Sequence, residues 1–338
     1  MTKRIIALCL ALAAVTALLA GCELRLGPEK AFEIPAIPEI SPEDMALLSK
    51  LMEDDEDAWK QYLEGVLPEG IDLAPEINLP AQPAMMPAGE AADRAEVLRL
   101  MRKVQDTFKS RTFYLKGRGN NFMDGTGGSY APMTIAVDQD KMMLETEFDW
   151  NTMMKMSFQE QGKVDVGQSK LQASIAQATL GSKMRLLFLD NNALMVFPEK
   201  KISANFSALA GEDEDAGDLS REMVSMFDQF GSTEFPEDKV KATKVTQDKK
   251  EYLCATVTVD ALDEDGQRMG TTTYKYYFLK GDLKRLEVAL VSLEDENVNM
   301  VIEVDTFSSK VDSSLFSTRG YAELKMGDMA KIMGVMNF

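Results

Sequence analysis

Apolar residues alternate with polar or small ones over most of the chain between residues 112 and 304. Around residue 255, for example, Leu253, Ala255 and Val257 occupy every second position. A period of two is typical of β-strands, because successive side chains point to opposite faces of a sheet. The pattern predicts strands at 112–118, 133–137, 141–148, 183–189, 193–197, 253–259, 272–279, 283–290 and 298–304.

Short polar turns separate several of these strands. The turns at 138–140 and 190–192 consist of Asp, Asn and Gln, and Gly281 and Asp282 separate two later strands. Such residues favour the tight connections of β-hairpins. Consecutive hairpins predict one large antiparallel sheet.

A period near 3.6 predicts four helices outside or between the strands. The clearest spans 90–109, where Val97, Met101, Val104 and Phe108 form one stripe. The others are expected at 41–66, at 218–230 and near the C-terminus around residue 332. Helices flanking an antiparallel sheet give the α+β fold class.

Several predicted strands are apolar on both faces. Leu186 and Phe188 point one way while Leu187 points the other. Tyr276 and Tyr277 oppose each other in the same manner. A sheet of this kind must be covered on both faces by helices, by curling or by a ligand, and a ligand cavity and a solid core both satisfy this requirement.

The N-terminus has the pattern of a bacterial lipoprotein signal. Lys3 and Arg4 precede an apolar run at 5–18, and the sequence Leu-Ala-Gly-Cys ends at Cys22. This order resembles the lipobox, in which the cysteine thiol receives diacylglycerol, with acyl groups such as palmitate, and the chain is cut between Gly21 and Cys22. The alternative is an ordinary secretory peptide with Cys22 incidental.

The signal divides the chain into three expected parts. The first is the signal peptide at 1–21, and the second, at 22–89, is a proline-rich tether that contains the short helix at 41–66. That helix could bind a partner or fold back on the main body. The sheet-and-helix domain is expected at 90–338, and lipidation places it outside the cytoplasm, on the cell membrane or on an outer membrane.

Composition restricts the chemistry. The formal net charge of −18 disfavours nucleic acid as a partner. Because the chain contains no histidine, it lacks the most common general base and transition-metal ligand. Asp213, Asp215 and Gly217 suggest a calcium loop, yet Val224 stands where the bidentate glutamate is needed. We therefore expect no enzyme activity, no cofactor and no metal.

Two further candidates receive structural interpretations. Cys254 stands alone in a strand and has no histidine partner, so a buried thiol is expected. Glu145 and Glu147 share one strand face and could form a carboxylate pair, but a solvated face explains them more simply.

The order of elements and the closing sequence around Leu315, Phe316, Gly320 and Tyr321 resemble the LolA-like superfamily over roughly residues 90 to 325. That family includes lipoprotein carriers and lipid-carrying lipoproteins. The resemblance implies a single curved sheet, a half-open barrel, with helices covering its concave face and an apolar ligand inside.

The functional prediction follows from the anchor, the resemblance and the two-faced strands. We expect a membrane-anchored lipoprotein that binds a lipid or another hydrophobic ligand. The alternative is an envelope interaction module with a solid core, whose partner would be an envelope protein. The residues predicted to line the ligand wall are Met143, Leu187, Phe197, Tyr276, Phe278 and Leu286.

Overall fold

A computed structural model describes residues 56–75, 80–120, 130–147, 149–154, 166–189, 192–205, 237–262, 267–292 and 298–325. The predicted lipobox with Gly21 and Cys22, the predicted helices at 218–230 and near the C-terminus, and the calcium-like loop at 213–217 lie outside the described residues. So does the first part of the helix predicted at 41–66.

The described residues form three longer helices, a short helical stretch at 150–154 and thirteen strands, together with short 3-10 turns. The helices are α1 (Glu56–Val66), α2 (Arg94–Lys109) and α3 (Val166–Leu180). The strands are β1 (Glu90–Ala91), β2 (Thr112–Asn120), β3 (Tyr130–Asp138), β4 (Lys141–Glu147), β5 (Lys183–Leu189), β6 (Asn192–Phe197), β7 (Ile202–Asn205), β8 (Lys241–Gln247), β9 (Lys250–Leu262), β10 (Arg268–Leu279), β11 (Asp282–Ser292), β12 (Val298–Ser308) and β13 (Ala322–Glu323).

All strands belong to one curved, open sheet with the order β1-β8-β9-β10-β11-β12-β2-β3-β4-β5-β6-β7-β13. Every pair is antiparallel except β7 with β13. The short strands β1 and β13 stand at the two edges, where they pair with part of β8 and β7. The predicted α+β class with a large antiparallel sheet is confirmed.

The sheet has two apolar faces. We call the face that packs on α2 and α3 the inner face; it carries Leu186, Phe188, Tyr276 and Phe278. The opposite, outer face carries Leu187 and, farther along the sheet, Tyr277. The alternation inferred from the sequence is therefore confirmed for both strands.

Two helices pack separately on the inner face. The stripe of α2 that includes Val97, Met101 and Phe108 lies in one cluster with strand residues from β2 to β6 and from β9 to β12. Helix α3 packs near the β7 edge, where Ala176 and Leu180 contact a cluster with Trp150 and Phe197. The interior therefore consists of two neighbouring clusters, each with its own helix.

Helix α1 lies against α3. Leu67, directly after α1, packs with Leu171 and Ile175 of α3. The backbone N–H of Ala74 donates to Ser174 Oγ over 2.8 Å. The described part of the helix predicted at 41–66 therefore folds back on the main body, which is one of the two options that its sequence allows.

Two segments outside the main strands cover parts of the outer face. Residues 80–89, which we call the strap, place Met86 in a cluster with Cys254 and Tyr277. At the other side Leu315, Phe316 and Tyr321 pack around Met143 and Leu187. Gly320 has a φ of +84°, which only glycine adopts readily, and this turn leads into Tyr321.

Several elements differ from the sequence-based expectation. Helix α2 begins at Arg94 instead of residue 90, because Glu90 and Ala91 pair with β8 and the Asp93 side chain caps the helix. The sequence does not predict helix α3 or the strands β7, β8 and β13. In the part of the chain that the structure describes, no helix is long and apolar enough to cross a membrane.

Candidate functional site

The inner face of β9 to β12 is built from cross-strand rows of apolar side chains. One row runs through Ala255, Tyr276, Leu286 and Ile302, each directly opposite the next. Side chains opposite each other on antiparallel strands are in contact range, so each row forms a continuous apolar strip. The members of this row are between 0% and 3% exposed, which makes it part of the closed core.

The next row is less completely covered. It runs through Val257, Tyr274, Val288 and Met300. Val257 is buried, whereas Val288 and Met300 are only half-buried although they lie on the inner face. This row is closer to the ends of the strands at 262, 268, 292 and 298. The apolar wall therefore becomes more accessible towards that end of the sheet.

Met195 marks a second accessible place on the inner face. It lies in β6 between Leu186 and Ala204, both of which are buried. Met195 itself is half-buried and packs against both the α2 cluster and the α3 cluster. The boundary between the two clusters is therefore open enough for solvent to reach an apolar side chain. The thioether of methionine adapts readily to differently shaped neighbours.

The six residues predicted as a ligand wall do not form one surface. Tyr276, Phe278 and Leu286 come together on the inner face in the α2 cluster. Phe197 is also on the inner face but belongs to the α3 cluster, where its ring centroid lies 6.2 Å from that of Trp150.

Met143 and Leu187 lie on the outer face, under the closing segment around Leu315. Their placement differs from the prediction because the two-residue period shows which side chains share a face but not which face is the inner one. Met195 is two residues from Phe197, and Val288 is two residues from Leu286. The same period could therefore have placed Met195 and Val288 on the face of the predicted wall.

The inner face carries the phenol hydroxyl groups of Tyr274 and Tyr276 at and beside the predicted wall. Burial raises the pKa of Tyr276 far above its usual value, and the neighbouring Tyr274 raises it further. Burial also raises the pKa of Tyr274. Both phenols therefore stay neutral at physiological pH, so this part of the wall can contact a hydrophobic ligand without presenting a charge to it.

The buried charges lie on the outer face instead. The Arg285 guanidinium donates to Glu287, and Glu287 also accepts from the hydroxyl of Tyr277 and from the backbone N–H of Met86 in the strap. Each interaction spans 2.8 to 3.0 Å. This network fixes the strap to the sheet, and it lies on the opposite face from the apolar rows.

Two other candidates from the sequence also have structural roles. Cys254 is buried on the outer face, and desolvation by burial raises the pKa of its thiol, as expected for an unreactive cysteine. Glu145 does not form part of a solvated face. It is paired with Arg185 over 2.6 Å and is three-quarters buried.

The described residues contain no group of three or more Cys, Asp or Glu side chains that could hold a metal ion. The expected absence of a metal and of catalysis stays a prediction.

Comparisons with known proteins give distant structural likenesses. No family model matches the chain, and no curated protein matches it. The solved structure of LprF from Mycobacterium bovis is 10% identical, covers 67% of this chain and 97% of its own, and has a TM-score of 0.32. Lipoprotein LppX from Mycobacterium tuberculosis is 14% identical, covers 65% of this chain and 99% of its own, and has a TM-score of 0.34.

An uncharacterized conserved protein from Thermus thermophilus is 6% identical over 68% of this chain and 98% of its own, with a TM-score of 0.29. All three TM-scores are low. The functional conclusions therefore rest on this chain's own residues.

Proposed function

We propose that this protein is a lipoprotein, anchored outside the cytoplasm through Cys22, that holds a lipid or another hydrophobic ligand on the inner face of its sheet. The observation that supports the binding role most strongly is the incomplete cover of that face. Val288, Met300 and Met195 are apolar and point inward, yet solvent reaches all three.

The position of α2 supports a concave inner face. The helix approaches the backbone of β2 on one side and of β8 and β9 on the other. In the sheet order, β10, β11 and β12 lie between these strands. The sheet is curved and open, and its middle strands share one apolar cluster with α2, so they are covered by side chains or by a ligand.

In this proposal the ligand lies along the row of Tyr274, Val288 and Met300 and extends towards Met195. Each methylene that leaves water contributes about 0.8 kcal/mol, so an acyl chain gains considerable free energy on such a surface. Tyr276, Phe278 and Leu286 form the closed base of the wall. Met143 and Leu187 support the sheet from the outer face and do not contact the ligand.

Uptake of a fluorescent fatty acid by the purified protein tests the binding role. We expect saturable binding with a blue-shifted emission, because the probe moves from water into an apolar site. Emission that stays at the value in buffer would contradict the proposal.

The anchor is tested separately. Metabolic labelling with a palmitate analogue should mark the wild-type chain, and the Cys22→Ser variant should lose the label and leave the membrane fraction. Retention of both the label and the membrane location in this variant would show that Cys22 is not the acylated residue.

The tight packing of the remaining interior supports a second candidate, an envelope interaction module with a solid core. Trp150, Tyr276 and Phe197 are each at most 1% exposed. A module of this kind would take up no lipid but would be crosslinked in cells to an envelope protein. The fatty-acid experiment separates the two candidates.

A further inference from the structure

Helix α3 is buried on nearly all sides although it carries several polar side chains. Ser174 is 1% exposed and is fully engaged, since it accepts from Ala74 and donates to the carbonyl of Lys170. Gln172 is 7% exposed and Thr179 is 6% exposed. The side-chain oxygens of these two residues have no hydrogen-bond partner among the described residues.

The two unpartnered groups lie on the same flank of α3. They are seven residues apart, which is almost two full turns, so one lies above the other at a spacing of about 10 Å. Each is one turn away from Ile175, which packs towards α1, and from Ala176, which packs towards the sheet. The flank is therefore a seam between these two packed surfaces.

A buried acceptor or hydroxyl without a partner is costly, and such groups in native structures usually receive a hydrogen bond from something. A threonine inside a helix can satisfy its hydroxyl by donating to a carbonyl one turn earlier. Thr179 makes no such bond to its own helix. Ligand sites combine a mostly apolar lining with a few placed polar groups, and the two unpartnered oxygens beside the apolar clusters match that arrangement.

We propose that this flank of α3 binds the polar part of an uncharged amphiphile that carries free hydroxyl groups, such as a monoacylglycerol. One ligand hydroxyl would donate to Gln172, another would exchange a hydrogen bond with Thr179, and the acyl chain would lie on the inner face. The inference rests on the proposed function and adds the chemical class of the ligand.

The charge distribution around α3 favours a neutral headgroup. The only charged residue in the helix is Lys170, which is half-buried on the side opposite Gln172 and Thr179. An apolar cluster lies on each side of this flank, one with Trp150 and Phe197 and the other with Leu67. An ionised headgroup placed between these two apolar clusters would lose hydration, which is costly for a charge.

The test compares two probes of equal chain length, 1-monooleoylglycerol and methyl oleate, which lacks a hydroxyl group. Binding to the full-length protein is measured by displacement of a fluorescent fatty acid. The variants Gln172→Leu and Thr179→Val remove the polar atoms at nearly constant volume. Gln177→Leu, a half-buried glutamine of the same helix that lies off this flank, is the matched control.

We expect the wild type to bind monooleoylglycerol more tightly than methyl oleate. Each of the two variants should lower the affinity for monooleoylglycerol by about 3- to 10-fold, which corresponds to the loss of one hydrogen bond. The affinity for methyl oleate should stay unchanged. The same substitutions should raise the melting temperature of the ligand-free protein, because they remove an unsatisfied buried group. The control should change neither affinity.

Equal binding of the two probes by the wild type, or equal effects of a variant on both, would overturn this inference while leaving the hydrophobic-ligand role intact. Failure of the wild type to bind either probe would overturn both proposals. A lower melting temperature in both variants would show that Gln172 and Thr179 stabilise the fold and would also overturn the inference.

Discussion

Arg285 and Glu287 form a buried ion pair on the outer face of the sheet, with 2.8 Å between Arg285 Nε and Glu287 Oε1. Their side chains are 3% and 0% exposed. Arg285 also donates to the carbonyl of Ala84, and Glu287 accepts from the N–H of Met86. The pair therefore links the sheet to the strap.

Replacing Glu287 with Gln is expected to destabilise the protein strongly. The substitution removes the buried counter-charge of Arg285 and leaves only the half-exposed carboxylate of Glu303, 3.7 Å away. Losses of about 3 to 5 kcal/mol are typical when one partner of a buried ion pair is removed. Urea unfolding followed by circular dichroism measures the free energy of unfolding directly.

The control is the exposed pair of Lys244 and Glu251, whose side chains are 46% and 61% exposed. Glu251→Gln should change the free energy of unfolding by less than about 1 kcal/mol, because solvent screens such pairs. If Glu287→Gln lowered the free energy of unfolding as little as Glu251→Gln, the buried pair would not hold the strap.

Stability should fall at alkaline pH. Burial raises the pKa of the Cys254 thiol and of the Tyr276 and Tyr277 phenols. Because the folded protein holds these protons more tightly than the unfolded chain, their contribution is complete below the unfolded pKa of about 8.5 for Cys and 10 for Tyr, and it is lost as the pH rises.

The measurement is the midpoint of urea unfolding between pH 7 and pH 11. We expect a decline that begins near pH 8.5 and becomes steeper near pH 10. The Cys254→Ala variant should lack the first part of the decline and keep the second. A midpoint independent of pH over this interval would contradict the burial of these groups.

Two glycines should respond to alanine in opposite ways. A Cβ at Gly117 would overlap the backbone carbonyl of Glu303 on the neighbouring strand, so Gly117→Ala should destabilise the sheet by more than about 2 kcal/mol. A Cβ at Gly65 in α1 meets nothing within 4 Å. Gly65→Ala should therefore raise the free energy of unfolding by about 0.5 to 1 kcal/mol. Loss of stability in both variants would contradict the described placement of α1.

The inner face can be distinguished from the outer face by one pair of adjacent substitutions. Met195 points inward and Leu194 outward, and both are half-buried. Met195→Phe should reduce the uptake of a fluorescent fatty acid several-fold, because the larger ring occupies the gap between the α2 and α3 clusters. Leu194→Phe should leave uptake unchanged, and equal effects would show that the ligand does not use the inner face.

The sequence predicts the strands better than the helices. The hairpin of β3 and β4 follows directly from alternation and from the turn at Gln139, which has a φ of +58°. Helix α3 is not recognisable by an apolar stripe, because it is buried all round and several of its buried positions are polar, including Gln172 and Ser174. Strand β8 is rich in Lys and Thr and lies next to the edge of the sheet, so its alternation is weak.

The candidate site is only partly predictable for a related reason. Alternation places Tyr276 and Leu286 on one face and Leu187 on the opposite side of its strand, but it does not show which face of β5 packs on α2. The assignment depends on the register across all the strands from β10 to β6, which is a tertiary property. The unpartnered oxygens of Gln172 and Thr179 also become visible only when their neighbours are in place.

Native mass spectrometry of the full-length protein, extracted gently from the membranes of cells that express it, tests the hydrophobic-ligand role most directly. We predict a reproducible adduct with the mass of a lipid, present in addition to the covalent anchor, retained in Leu194→Phe and reduced in Met195→Phe. Repeated recovery of the anchored chain without any adduct, together with no uptake of added fatty acid, would contradict the role and would favour the solid-core interaction module.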